Sequence, residues 1–149
     1  MLIDIHARLD EEAIQELLGW AVFPEPEHLE RAISLYKNGA TGEGGHKLLG
    51  YESENEVIGL IGYHYVNSDT IEIDHIAVTP SDRNKGYGRG LILELLELEK
   101  PSVLIAETDD SAVDFYRSSR FTVESLGEKY PGTERYKCTY YADDEDEDA

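Results

Sequence analysis

The segment from Thr70 to Leu96 changes its hydrophobic period part-way, and that change sets a strand, a loop and a helix in series. Ile71, Ile73, His75 and Ala77 alternate with Glu72, Asp74, Ile76 and Val78, the period of two expected of a strand with unlike faces. Unbroken alternation puts Glu72 and Asp74 on one face with Ile76 and Val78. A β-bulge would change which side chains reach a cleft and could bring in His75. Pro80 to Gly90 is a loop rich in glycine and charge. Beyond it Leu91, Ile92, Leu95 and Leu96 line one side of a helix, with Glu94, Glu97 and Glu99 on the other. Arg83, Lys85 and Arg89 bring three of the chain's 13 cations to the loop, beside Gly86 and Gly88. Glycine lets a backbone approach a ligand, and a helix start offers unpaired N–H groups with partial positive charge. Such a loop suits phosphate. It has neither the Gly-Lys-Ser/Thr of a Walker loop nor a full dinucleotide fingerprint.

Around this segment the pattern predicts a first strand at 1–7 and a helix capped by Asp10, with Ala13, Ile14, Leu17 and Leu18 on one face. A second helix runs from Pro26, carries Leu29, Ala32, Ile33 and Tyr36, and ends at Asn38-Gly39. Gly42 to Gly45 reads as a loop. His46–Tyr51 and Val57–Val66 read as a hairpin. Ser102–Glu107 is an apolar run suited to a buried parallel strand, Asp109-Asp110 caps a helix bearing Ala112, Phe115 and Tyr116, and Phe121–Leu126 and Tyr136–Tyr141 close as strands around a turn at Tyr130-Pro131-Gly132. The order βααβββαβαββ is an α+β domain over residues 1–141, with 142–149 an acidic, disordered tail.

Charge narrows the partners. Against 13 Lys and Arg stand 32 Asp and Glu, a net charge of -19. Without the six acidic residues of 143–148, the body still holds 26 acidic to 13 basic side chains. That field repels nucleic acids and anionic membranes, so neither is expected as a partner. No run approaches a membrane span, no leader segment is evident, and Cys138 alone allows no internal disulfide, so a cytoplasmic setting is expected. The five histidines show no metal-ligand spacing; His46 and His64 read as ordinary polar strand residues, and no metal is expected.

Arg83-x-x-Gly86-x-Gly88, led by Val78-x-Pro80, resembles the acyl-CoA signature of the GNAT N-acetyltransferases. Ala106-Glu107-Thr108-Asp109, then Ala112-Val113-Asp114-Phe115-Tyr116 and Phe121, resemble that family's second signature. Two positions depart from it. Asp109 replaces a frequent Asn, and Arg120 replaces a helix-ending Gly, where a left-handed backbone strains any Cβ.

The resemblance implies a GNAT fold: a mixed, mostly antiparallel sheet of about seven strands, splayed in the middle and flanked by about four helices. It implies acetyl-CoA as co-substrate, the pantetheine arm lying along the backbone of Ile76, Ala77 and Val78, and the pyrophosphate held by N–H groups from Lys85 to Arg89. Arg83 and Asn84 flank the phosphates, with Gly86, Tyr87 and Gly88 in the phosphate loop. Asp109, Ala112, Phe115 and Tyr116 complete the donor site. The Ile76 N–H would polarise the acetyl carbonyl. Tyr116 would protonate the leaving thiolate, and Glu72, eleven residues before Arg83, takes the place of the catalytic glutamate of histone acetyltransferases. Asp74, His75 or a water are the alternatives for the base. The acceptor would be a small-molecule or peptide amine, its pocket drawn from Gly19–Glu27, with Trp20, Phe23, Glu25 and Glu27, and from Lys129–Thr133. The negative field, with Glu25, Glu27, Glu72 and Asp74, favours a cationic acceptor. Monomer and homodimer both fit, as do two other classes: a silent acyl-CoA-binding module and a phosphate-loop protein for another nucleotide.

Overall fold

A computed structural model describes residues 2–22, 25–38, 45–130 and 132–142. The expected positions Phe23, most of the 42–45 loop, Pro131 and the tail from 143 lie outside the described residues. Strands β1 (Leu2–Asp4), β2 (Lys47–Ser53), β3 (Glu56–Tyr65), β4 (Thr70–Val78), β5 (Val103–Asp109), β6 (Thr122–Tyr130) and β7 (Thr133–Tyr141) join helices α1 (Glu12–Gly19), α2 (Pro26–Asn38), α3 (Tyr87–Glu99) and α4 (Val113–Ser118). Ala142, expected in the tail, instead donates its N–H to the Ser102 carbonyl at 3.0 Å and packs against the core.

The seven strands form one sheet in the order β1-β2-β3-β4-β5-β7-β6. Every neighbouring pair is antiparallel except β4 and β5, which α3 connects. That parallel pairing runs only from Thr70↔Val103 to Ile73↔Ala106. Beyond it β4 continues to Val78 and β5 to Asp109 without pairing to each other, so the sheet opens between them.

Each face of the sheet carries its own core. Ile61, Tyr63, Ile71, Ile73, Leu91, Leu95, Leu104 and Tyr116 pack on the α3 and α4 side, and Ile5, Ile14, Leu17, Leu18, Tyr36, Leu48 and Leu60 on the α1 and α2 side. The α1 face follows the predicted spacing, with Ile14, Leu17 and Leu18 buried. Its cap differs from expectation. Glu11, in extended backbone, occupies the N-cap without a side-chain capping bond, its carboxylate accepting from Arg8 instead, while Asp10 reaches across to Lys37 Nζ of α2 at 2.5 Å. The loop before α3 is also shorter than expected, since the helix begins at Tyr87 rather than after Gly90.

The alternation of β4 is broken. Gly62 pairs with His75 and Tyr63 with Ile73, leaving Asp74 as an extra residue in the ladder. Ile76 and Val78 therefore join Ile71 and Ile73 on the α3 side, while Ala77 packs in the α1/α2 core and His75 meets Tyr36 of α2. The expectation that Glu72, Asp74, Ile76 and Val78 share a face fails at this bulge.

Candidate active site

The opening between β4 and β5 is the floor of a cleft of about 1280 Å³. Its first wall is the turn into α3. Asn84 and Gly86 both have positive φ, 64° and 86°, and Gly90 N–H closes back on the Gly86 carbonyl at 3.0 Å. The amides of Tyr87, Gly88 and Arg89 thus form the first turn of a 13-residue helix and have no intrahelical acceptor, which makes an anion site of backbone donors. Gly86 has open space where a Cβ would stand, so its conformation is the reason for glycine. Gly88 is different. A Cβ there would lie 2.9 Å from Phe115 Cε1, so this glycine makes room for an aromatic ring of α4 rather than only for a ligand.

The cations of this wall are held differently. Arg83 donates from Nε to the Val78 carbonyl at 3.1 Å, and its guanidinium lies 5.2 Å from the Trp20 ring centroid. Arg89 donates to the Ser118 carbonyl at 2.9 Å, near the end of α4. Both line the cleft, as do Asn84, Gly86, Tyr87 and Gly88. Lys85 does not line it, and instead faces Asp82 at 3.6 Å.

Along the floor, Thr79 N–H donates to the Ile58 carbonyl of β3 at 2.9 Å. Strand alternation then turns the amides of Ile76 and Val78 away from β3, toward the opening where β5 has departed. Ile76, Ala77 and Val78 line the cleft, and the bulge adds Asp74 and His75. Glu72 is absent from that lining; its carboxylate lies 3.5 Å from His64 Nε2. His75 Nδ1 shares a hydrogen bond with Tyr36 Oη at 2.6 Å. Burial lowers the His75 pKa below the usual imidazole value, against the pull of Asp74, so the ring is neutral near pH 7. Tyr36 can reach that position because Gly62 lies beneath it, where any Cβ would collide with the phenol.

Tyr116 stands on the other wall, 5% exposed, its ring edge-on to Phe115 and Phe121. Burial raises its pKa well above that of a free phenol, so the hydroxyl keeps its proton. Ala112 and Phe115 line the cleft beside it. Asp109 lines it too, but does not cap α4 as expected. Its Oδ1 accepts from Ser111 N–H at 2.9 Å and Ser111 Oγ at 2.5 Å, while Ala112 occupies the N-cap. The Ser111 hydroxyl holds the Asp109 carboxyl below its ordinary range.

The remaining wall comes from Trp20, Ala21, Val22, His28, Arg31 and Leu35. Glu25 and Glu27, expected here, do not line the cleft; Glu25 lies 3.5 Å from His28 Nε2. Arg135 of β7 enters instead, between Glu107 at 3.4 Å and Asp109 at 4.0 Å. His28, Arg31 and Arg135 had no local motif to mark them. The pairing of β5 with β7 brings Arg135 to the site.

Residues 10–121 match the acetyltransferase (GNAT) family. The chain belongs to that family. It is 32% identical over 89 residues to a Bacillus methanolicus protein named as an N-acetyltransferase in the lysA 3′ region, covering 60% of this chain and 73% of that one. A GNAT acetyltransferase from Desulfovibrio desulfuricans has the same fold at a TM-score of 0.80 and 20% identity, over 95% of this chain and 98% of the other. A GNAT acetyltransferase from Elizabethkingia anophelis, solved with acetyl-CoA bound, aligns at a TM-score of 0.60 and 20% identity, over 85% and 88%.

This GNAT chain is accordingly an acetyl-CoA-dependent N-acetyltransferase. Its open, seven-stranded mixed sheet is the expected architecture. Among the described residues, no helix is long and apolar enough to cross a membrane.

Proposed function

We propose that the chain transfers the acetyl group of acetyl-CoA to a primary amine of a small molecule or peptide by direct attack. The observation that carries this reading is the β4 edge at 74–78 left unpaired on its β5 side, placed in one cleft with the first turn of α3 and with Tyr116. In the proposed complex the pantetheine arm takes the edge that β5 leaves open, bonded to the backbone of Ile76 and Val78. The pyrophosphate meets the N–H groups of Tyr87, Gly88 and Arg89, flanked by Arg83 and Asn84. The Ile76 N–H supports the oxyanion of the tetrahedral intermediate, and Tyr116, kept protonated by burial, gives its proton to the leaving thiolate.

The base is reassigned from Glu72 to His75, because the bulge brings His75 to the cleft and leaves Glu72 outside it. Its neutral ring accepts the amine's proton at Nε2, directly or through water, when Nδ1–H is donated to Tyr36 Oη. Tyr36 is then a positioning residue that fixes the tautomer. The acceptor is proposed as a single primary amine rather than a polyamine. Of the four acidic residues expected near it, only Asp74 lines the cleft, and Arg31 and His28 line the facing wall.

A thiol-release assay over a panel of amines, paired with acetyl-CoA calorimetry, tests this reading. Tyr116→Phe should lower kcat by roughly 10- to 1000-fold with donor affinity nearly intact, the size of a general-acid contribution. His75→Gln should lower kcat similarly, and Tyr36→Phe should shift the acid limb of the rate profile. Wild-type turnover in both Tyr116→Phe and His75→Gln would sink the assignment, and donor binding without thiol release from any amine would point to a silent binding module.

A further inference from the structure

Three side chains, His46 just before β2, His64 on β3 and Asp74 on β4, meet on the α1/α2 side of the sheet. His46 Nδ1 lies 2.8 Å from Asp74 Oδ2, and His64 Nδ1 lies 2.9 and 3.0 Å from the two oxygens of the same carboxylate. The two imidazole rings are 4.4 Å apart. None is deeply sealed: the side chains are 22%, 18% and 12% exposed for His46, His64 and Asp74. The ligand-type atoms of all three fall within 4.8 Å of one another.

We propose that His46, His64 and Asp74 bind one divalent cation of the zinc class, with Glu72 as the outer carboxylate that orients His64. Two imidazoles and a carboxylate are a donor set suited to a borderline transition-metal ion and poorly suited to magnesium or calcium. Metal–ligand bonds of 2.0–2.1 Å in a tetrahedral site set neighbouring donors roughly 3.3 Å apart. The two His–Asp separations are shorter than this by a few tenths of an ångström, and the two ring nitrogens lie within 4.8 Å of each other, so small side-chain shifts open the site. Both histidines turn the same ring atom, Nδ1, toward the carboxylate. On the far side of the His64 ring, Nε2 faces Glu72 Oε1 at 3.5 Å, the carboxylate–histidine–metal relation that fixes a ligand's tautomer. The bulge that removes Glu72 from the cleft is also what turns Asp74 and Glu72 toward these rings. Three protein donors leave one position for water.

The full chain, freed of metal with chelator and returned to buffer, is titrated with Zn²⁺ by calorimetry and with Co²⁺ by visible absorption. One equivalent should bind, with d–d bands of a low-coordinate Co²⁺ site, and Zn²⁺ should raise the unfolding temperature because it binds only the folded chain. His46→Ala and His64→Ala should each weaken Zn²⁺ binding by more than about 10-fold, and Glu72→Gln by roughly 10- to 100-fold, while His6→Ala leaves it unchanged. Circular dichroism of each metal-free variant checks that the fold is kept, and His46→Gln stands in if His46→Ala loses it. Failure to bind one equivalent, or an affinity indifferent to both His46 and His64, overturns the site. An unchanged affinity in Glu72→Gln overturns the orienting role.

Discussion

Gly86 and Arg120 both have positive φ, at 86° and 71°, and should respond to substitution in opposite directions. At Gly86 a Cβ meets no atom, so Gly86→Ala tests the backbone alone. It should cost about 1–2 kcal/mol of folding stability, the penalty of a left-handed L-residue, and loosen the amides expected to hold the donor phosphates. An unchanged midpoint in urea would contradict the left-handed turn. Arg120 already bears that penalty at the end of α4. Arg120→Gly should therefore stabilise the chain by about 0.5–1 kcal/mol, the steric relief exceeding glycine's added unfolded-state entropy. A lower melting temperature would show that the Arg120 side chain contributes more through its contacts than its backbone loses. The sequence marked both positions, since a glycine before a helix and a non-glycine after one are local features. It did not reveal that a Cβ at Gly88 would also meet Phe115, which belongs to another helix.

At the scale of elements, the last turn of α3 is tied to the sheet through one carboxylate. Glu99 accepts from Tyr63 Oη at 2.5 Å and Tyr65 Oη at 3.1 Å, both on β3, and faces Lys47 Nζ of β2 at 3.4 Å. Burial alone would raise the Glu99 pKa, but the Tyr63 bond, the Lys47 charge and the Tyr65 bond outweigh it, and the carboxyl lies below its ordinary value. A depressed carboxyl stabilises the fold above its unfolded-state pKa and loses that contribution as pH falls through the folded-state value. Stability measured by urea unfolding should therefore drop between pH 5 and pH 3 through this group. The drop should be smaller in Glu99→Gln; an identical pH slope would exclude Glu99 as a source. Nothing local in the sequence linked Glu99 to Tyr63, because the helix and strand meet only when α3 folds over the sheet.

Over the whole molecule, a net charge of -19 draws cations toward the surface, and salt should screen that attraction. With donor saturating, kcat/KM for a cationic amine should fall as NaCl rises from about 50 to 500 mM, a range over which the Debye length shortens about threefold, from ~14 to ~4 Å. A neutral amine of similar size should show little change. A flat profile for both would mean that the charge serves something other than acceptor capture. The cleft carries a different local balance, since Arg31, Arg83, Arg89 and Arg135 all line it.

The sequence alone determined the element order, the strand–loop–helix unit from Thr70 to Glu99, and the family, because these rest on periodicity and on motifs within some 25 to 50 residues of chain. Local spacing cannot report a bulge. One unpaired residue at Asp74 depends on how β3 and β4 align, and it decided that His75, not Glu72, reaches the cleft. The same holds for Arg135, placed by the β5–β7 ladder, and for His46, His64 and Asp74, which are unrelated by any local spacing and meet only when the start of β2 is brought beside β3 and β4. Tertiary structure decided those groupings because hydrogen-bond register, unlike hydrophobic period, is a property of two strands together.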